Sequence, residues 1–291
     1  MSDPSVQLPV SEQLPFVTVR VQTKGFSDRD WTGVGTGFVW IEKLANNESA
    51  ALLITNRHVL KGATVVGLTL QGTAADGSRA PGPGREIETQ LGELNIVYHP
   101  DPEVDLALLA LGPIIQRLDR AGFKPHFTSV ERGIIPDADQ IRGLSAAHPV
   151  TVVGYPNGVF DEANNLPVVR RGTTAIPPWI DYQGKKDLLL DIAVFGGSSG
   201  SPVFVLDEGI LMGRAGLQIG SLRLYFMGVL KAGHYHTEFG TIIQIPAPTA
   251  MIPVAKVNQM INLAVCVKSE QVMELVDQAI AAFKLTPAPS A

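Results

Sequence analysis

Residues 196–205, with the sequence GGSSGSPVFV, form a turn of small residues that leads directly into an apolar run. A nucleophilic serine requires such a setting, because its hydroxyl must stand clear of other side chains while backbone N–H groups converge on one point. Ser199 is therefore the candidate nucleophile, and the amides of Gly197 and Ser199 are spaced to form an oxyanion hole. The motif alone fits an ordinary Gly/Ser turn equally well, so it needs support from elsewhere in the chain.

Two other motifs supply the partners that a serine nucleophile needs. His58 follows an apolar run in TNRHVL (55–60), and Asp105 opens the apolar run DLALL (105–109). A neutral histidine accepts the serine proton, and an aspartate fixes its tautomer and stabilises the imidazolium. Each residue alone also fits a structural histidine or a solvated strand-start acid. Together the three follow the order His, Asp, Ser, which is that of chymotrypsin and not that of subtilisin or the α/β-hydrolases.

The pattern around these motifs predicts an all-β protein. The chain has 29 Gly and 21 Pro, which separate short runs rich in Val, Ile, Leu and Phe. The predicted strands are 16–21, 35–41, 51–55, 64–70, 94–98 and 106–111, then 150–153, 168–174, 187–193, 202–205, 209–217, 223–229 and 239–245. Each set is large enough for one barrel. We expect an N-terminal arm (1–15), a first barrel (16–113), a connection (114–147), a second barrel (148–248) and C-terminal helices with a tail (249–291).

The C-terminal region changes to a helical period. One helix is predicted over 252–263, and a second is predicted from an apolar face with Ser269 as a possible N-cap and Glu270 in its first turn. That face comprises Val272, Leu275, Val276, Ala279, Ile280 and Phe283. The second helix either packs on a barrel or docks a partner.

Composition excludes several classes of protein. A single cysteine, Cys266, cannot form an internal disulfide, which favours a reducing compartment. The first 15 residues lack the pattern of a secretory signal, and no apolar run reaches membrane-spanning length. A net charge of −5 gives no electrostatic footprint for nucleic acid. We therefore expect a cytoplasmic protein that binds neither membranes nor nucleic acid.

The sequence resembles the trypsin-like serine peptidases, in particular the disulfide-poor bacterial branch with glutamyl endopeptidases and HtrA-type proteases. The matching motifs are TNRHVL (55–60), DLALLAL (105–111), VVGYP (152–156), GSSGSPVF (197–204), MGVL (227–230) and EFGTIIQIP (238–246). The resemblance implies two six-stranded antiparallel Greek-key β-barrels with the active site in the cleft between them. It implies a serine endopeptidase with His58 as base, Asp105 as its orienting carboxylate and Ser199 as nucleophile, acting on polypeptides without a cofactor or metal.

Departures from the family limit what the resemblance implies. Ser198 stands where zymogen-activated relatives carry an aspartate, so activation by a buried new N-terminus is not expected, and control by a partner protein or by loop ordering stays open. The region after residue 263 is too short for a PDZ domain. A catalytically silent binding module and an esterase on the same triad are the alternatives, and the oligomeric state is undetermined.

The substrate pocket is predicted to take a neutral, small or apolar side chain. Ala193 stands six residues before Ser199, where a trypsin-like preference for Arg or Lys would need an acid. Leu230 occupies the position of the histidine in glutamyl endopeptidases, and Ala232 and Gly233 are expected to line the pocket wall. The nearby pair His234 and His236 fits a polar loop, a substrate contact or half of a metal site.

Overall fold

The first of two β-structures carries the candidate histidine and aspartate. The computed structural model describes residues 9–213, 216–239 and 256–288, without the side chains of 210–213, 216–221, 232–239 and 256–260. The strands of the first sheet are β1 (Thr18–Lys24), β2 (Gly33–Lys43), β3 (Ser49–Thr55), β4 (Val65–Gly72), β5 (Arg85–Gln90), β6 (Ile96–Tyr98), β7 (Ala107–Ala110) and β8 (Pro125–His126). They are ordered β5-β4-β1-β2-β3-β7-β6, with β8 paired to β4. This sheet is a half-barrel.

The second β-structure is a closed barrel of six antiparallel strands. It contains β9 (Pro149–Gly154), β10 (Val168–Thr174), β11 (Asp187–Asp191), β12 (Pro202–Gly213), β13 (Gly216–Phe239) and β14 (Lys256–Lys268). Its order is β10-β11-β14-β13-β12-β9. The helices are α1 (Val10–Gln13), α2 (Arg57–Leu60), α3 (Gly112–Arg120), α4 (Ala138–Arg142) and α5 (Ser269–Ala282).

An apolar cluster joins the half-barrel, the barrel and helix α5. Phe226 of β13 lies with its ring centre 5.2 Å from that of Phe38 in β2 and 5.8 Å from that of Phe204 in β12. Val272 and Leu275 of α5 are fully buried in the same cluster. Large aromatic side chains bury more apolar area than any others, so this cluster fixes how the two β-structures meet. The candidate site lies at that junction.

The predicted fold class is confirmed, with the first barrel present as a half-barrel and the second closed. The helix predicted from the apolar face is confirmed as α5, although Lys268 is its N-cap and Ser269 is its first residue. All members of the predicted face from Val272 to Ile280 are buried, so α5 packs against the body of the protein. No helix in the described ranges has the length and apolar content needed to cross a bilayer.

The helix predicted over 252–263 is wrong, because residues from Lys256 onward form β14. Leu263, Val265 and Val267 follow one another there at two-residue spacing, and pairing with both β11 and β13 satisfies the backbone of the strand. The second barrel therefore extends past the expected boundary at residue 248. The strands predicted at 202–205 and 209–217 are largely one strand, β12, and the one at 223–229 lies within the long β13. Residues 240–245 of the last predicted strand lie outside the described ranges.

Candidate active site

His58 and Asp105 are in direct contact at the junction. His58 lies in α2, the single turn that follows β3, and Asp105 immediately precedes the segment leading into β7. The His58 Nδ1 to Asp105 Oδ2 distance is 2.5 Å, and the His58 backbone N–H donates to Asp105 Oδ1 at 2.9 Å. An ionised carboxylate only accepts, so the imidazole donates from Nδ1 and keeps Nε2 as its acceptor. The His58 side chain is 46% exposed, which leaves Nε2 accessible to a reactant.

Neighbouring residues hold Asp105 in this position. The Asn56 side chain donates from Nδ2 to the Asp105 carbonyl at 2.7 Å, and the Arg57 N–H approaches the same carbonyl at 3.4 Å. The Arg57 guanidinium donates to the His99 carbonyl at 2.9 Å and lies 5.1 Å above the ring of Tyr98. The segment that carries the histidine is thus bound to both ends of the loop that carries the aspartate.

The loop around Ser199 is a tight turn that depends on two glycines. Gly197 and Gly200 have φ values of +83° and +88°, in the left-handed region that favours glycine. A Cβ on Gly197 would lie 2.4 Å from the Tyr155 carbonyl, so no other residue fits there. The glycines that the motif contributes are therefore required by the backbone.

The amides of this loop divide into two groups. Those of Ser198, Gly200 and Ser201 donate to backbone carbonyls at 2.9–3.1 Å. Those of Gly196, Gly197 and Ser199 have no acceptor among the described residues, and of these three residues only Gly196 is exposed. The N–H groups of Gly197 and Ser199, two residues apart on a turn with left-handed glycines, are therefore available to an incoming acceptor.

Ser199 shares a cleft with His58. The cleft has a volume of about 410 Å³, and its lining includes His58, Val59, Gly196, Gly197 and Ser199. The Ser199 hydroxyl donates to the Lys231 carbonyl at 3.3 Å, and within the described ranges no hydrogen bond joins it to His58. Catalytic hydrogen bonds are often long in structures without substrate and tighten when substrate binds.

A family model described as the trypsin-like peptidase domain matches residues 35–213, which include His58, Asp105 and Ser199. The chain belongs to this family. The match confirms the resemblance to trypsin-like peptidases that the motifs predicted. A comparison with curated protein sequences gives no match. Among solved structures, the chain is similar to the serine endoprotease from Yersinia pestis, with 14% identity, a TM-score of 0.49 and coverage of 94% of this chain and 68% of that one.

Two of the residues predicted to line the substrate pocket of this trypsin-like peptidase differ in burial. Ala193 is partly buried in the segment between β11 and the Ser199 loop. Leu230 is 1% exposed and packs inside the second barrel, and its predicted role in the substrate pocket stays a prediction. Its side chain is on the inward face of β13, and its backbone bonds Gly200 and Ser201.

Four further predicted residues lie on β13 where side chains are not described. The backbones of Ala232 and Gly233 pair with Val265 and Ala264 of β14. The side chains of these two residues, and of His234 and His236, are outside the described set, so their predicted contacts stay predictions. Among the described side chains, no group of three or more His, Cys, Asp or Glu is placed to hold a metal ion.

Sequence reasoning missed two polar residues that organise the site. Asn56 and Thr36 are both fully buried, and each bonds to a segment that carries a triad candidate. The available signal was a polar residue in an apolar setting, since Thr36 lies between two glycines in GTGF and Asn56 follows the apolar β3. Polar side chains are rarely buried without a partner, so such positions indicate a specific hydrogen bond.

Proposed function

We propose that the protein is a serine endopeptidase that cleaves peptide bonds through an acyl-enzyme intermediate. The observation that carries the proposal is the 2.5 Å contact between His58 and Asp105 beside a cleft that also holds Ser199 and the free amides of Gly197 and Ser199. These are the base, its orienting carboxylate, the nucleophile and the oxyanion donors of acyl transfer. Their presence on a trypsin-like peptidase domain favours peptide hydrolysis over other acyl-transfer reactions.

In the first half of the reaction, Ser199 Oγ attacks the carbonyl carbon of the scissile bond and its proton passes to His58 Nε2. The Ser199 hydroxyl first turns away from the Lys231 carbonyl, which is a rotation about one side-chain bond. The negative charge that develops on the carbonyl oxygen is stabilised by the N–H groups of Gly197 and Ser199. Asp105 stabilises the imidazolium and does not itself take the proton.

In the second half, the imidazolium of His58 gives its proton to the leaving amine, which departs and leaves the acyl group on Ser199. A water molecule then loses a proton to His58 Nε2 and attacks the acyl carbon. Collapse of this second tetrahedral species releases the acid and returns the proton to Ser199 Oγ. No step requires a metal or cofactor.

Fluorophosphonate labelling tests the assignment. Ser199→Ala is expected to abolish labelling and peptide cleavage, because the probe phosphonylates the activated hydroxyl. Ser145→Ala is a matched control, since Ser145 Oγ lies 3.2 Å from His148 Nδ1 and His148 Nε2 lies 3.2 Å from Asp207, yet Ser145 is outside the candidate cleft. Labelling that persists in Ser199→Ala would refute the nucleophile. A wild type that never reacts, with or without cell extract, would favour a silent binding module.

The substrate preference that we propose is a neutral, small or apolar side chain before the scissile bond. Ala193 still supports it, because the base position carries no charge to pair with Arg, Lys or Glu. Cleavage-site profiling with a peptide library tests it, and cleavage after basic residues would contradict it. A peptide library that is left intact while small esters are hydrolysed would favour the esterase alternative.

The cellular location that we propose is the cytoplasm. Cys266 is a free, fully buried thiol, which is compatible with a reducing compartment. Fractionation of cells followed by immunoblotting tests this, and recovery of the protein outside the cytoplasmic fraction would contradict it.

A further inference from the structure

Thr36 is a fully buried polar residue in the middle of β2 that bonds mainly to the other β-structure. It belongs to the half-barrel with His58, whereas most of its hydrogen-bond partners lie in the barrel that carries Ser199. A buried hydroxyl destabilises the folded state unless it is hydrogen-bonded, so Thr36 needs partners at this position.

The Thr36 hydroxyl uses both its donor and its acceptor. It donates from Oγ1 to the Gly197 carbonyl at 2.9 Å and accepts from the Tyr155 N–H at 3.1 Å. The Thr36 backbone N–H donates to the Ser199 carbonyl at 2.9 Å. One residue of the half-barrel therefore holds the carbonyl groups of both Gly197 and Ser199, the two proposed oxyanion donors.

These bonds restrict the direction in which the Ser199 amide points. The peptide group that contains the Ser199 N–H lies between the two carbonyls that Thr36 holds. With Gly197 O and Ser199 O both fixed, rotation of that peptide is restricted. Left-handed glycines lie within and beside this segment and would otherwise permit several arrangements.

Thr36 also connects this loop to the histidine. The Thr36 carbonyl accepts from Thr55 Oγ1 at 2.7 Å, and Thr55 is the last residue of β3, three residues before His58. The nucleophile loop and the histidine segment are thus bound to the same residue. A shift of Thr36 would change the position of Ser199 relative to His58.

We propose that Thr36 is a positioning residue that fixes the oxyanion hole and the Ser199 loop from the opposite β-structure. The inference rests on the proposed function and adds a residue that touches neither the substrate nor the reacting atoms. Valine has the shape of threonine without the hydroxyl, so Thr36→Val leaves the Gly197 carbonyl and the Tyr155 N–H unpaired. Thr36→Ser keeps the hydroxyl and removes only a methyl group.

The experiment compares fluorophosphonate labelling rates across a pH series for wild type, Thr36→Val, Thr36→Ser and Thr174→Val. Thr174 is a matched control, because it is buried and its hydroxyl likewise donates to a carbonyl (Ala146, 2.7 Å) and accepts from an N–H (His148, 2.9 Å). We expect Thr36→Val to react about 100-fold more slowly, near the loss measured when one oxyanion donor is removed. Thr36→Ser is expected to react within about threefold of wild type, and Thr174→Val at the wild-type rate.

The pH profile separates positioning from damage to the triad. Because no hydrogen bond among the described residues joins Thr36 to His58 or Asp105, the apparent pKa of the rate is expected to be the same in wild type and Thr36→Val. An unchanged rate in Thr36→Val, an equal loss in Thr174→Val, or a loss in Thr36→Ser as large as in Thr36→Val would overturn the inference. An unreactive wild type would overturn the proposed function first.

Circular dichroism checks that each variant is folded. Should Thr36→Val not fold, Thr36→Ala replaces it, because its smaller side chain removes the hydroxyl without placing a methyl group against the carbonyl. Thr36→Ala is then expected to react at least tenfold more slowly than Thr36→Ser. Equal rates for these two variants would overturn the inference.

Discussion

Gly200→Ala tests how closely the two β-structures approach each other at the nucleophile loop. Gly200 follows Ser199 directly and has a φ of +88°. A Cβ at this position would lie 1.9 Å from the Thr36 carbonyl oxygen and 2.6 Å from Thr55 Oγ1. The first of these is a backbone atom of a central strand, so it cannot move away as a flexible side chain would.

The size of the effect follows from the distance that the loop must move. Real Cβ contacts are essentially never closer than 3.0 Å, so the loop next to Ser199 must shift by about 1 Å. A misplacement of about 1 Å costs roughly 100-fold in rate, or about 2.7 kcal/mol in the activation barrier. The left-handed backbone of an alanine adds about 1–2 kcal/mol of destabilisation to the folded state.

A matched variant separates the backbone strain of a left-handed alanine from the displacement of the loop. Gly209 in β12 has a φ of +87°, and a Cβ there would meet no atom within 4 Å. Gly209→Ala therefore carries the same backbone strain without the clash, and it is expected to lose stability but to label at the wild-type rate. The assay is the fluorophosphonate labelling rate, with urea denaturation run in parallel. Equal labelling rates for Gly200→Ala and Gly209→Ala would refute the reasoning.

Three further predictions concern groups elsewhere in the protein. Asp105→Asn is expected to lower the labelling rate about 10⁴-fold without unfolding the protein, because asparagine favours the His58 tautomer that cannot accept a proton at Nε2. A loss below tenfold in stopped-flow labelling would contradict this. Burial lowers the pKa of His148, although the charge of Asp207 acts in the opposite direction. The unfolded chain therefore binds a proton more readily than the folded protein does. This group contributes its full stabilisation above about pH 6.5 and loses it as the pH falls toward the folded-state pKa. Urea denaturation at pH 7.5 and 5.5 is expected to show a loss of at most about 1.4 kcal/mol per pH unit from this group, which His148→Gln removes; an equal pH dependence in both proteins would argue against it. Burial raises the pKa of the Cys266 thiol, so Ellman's reagent at pH 8 is expected to react with the denatured protein and not with the native one, whereas a rapid native reaction would contradict that burial.

The residues of the Ser199 loop could be predicted from sequence because local backbone chemistry specifies them. A turn with left-handed residues requires glycines at fixed offsets, and Gly197 and Gly200 record that requirement in the sequence. His58 and Asp105 were predicted because each stands at one end of a short apolar strand and because they precede Ser199 in the order found in chymotrypsin. Motif and order can both be read from one sequence.

The strand β14 could not be predicted because its identity depends on distant partners. Residues 256–263 are compatible with a helical period, and pairing with β13, which β11 joins from Leu263 onward, makes them part of a strand. Tertiary pairing overrides local preference in such segments. The helix α5 was predicted correctly because its apolar face persists over more than three turns.

The position of Leu230 shows a second limit of sequence reasoning. Alternate residues of a strand face opposite sides, so a shift of one residue exchanges pocket and core. The pairing of β13 with β14 shifts its register between Leu230 and Ala232, and a shift of this kind leaves no mark in the sequence. The face of β13 on which a residue near Leu230 lies therefore cannot be read from the sequence alone.

The junction between the two β-structures combines two kinds of contact with different roles. The cluster around Phe226 supplies apolar burial, which holds the structures together but tolerates small displacements of packed side chains. The hydrogen bonds of Thr36 are directional, and they fix the Ser199 loop against the strand that leads to His58. Because His58 and Ser199 lie on different β-structures, their separation depends on this second kind of contact. Substitutions in the apolar cluster are therefore expected to change stability before reactivity, and substitutions at Thr36 to do the reverse.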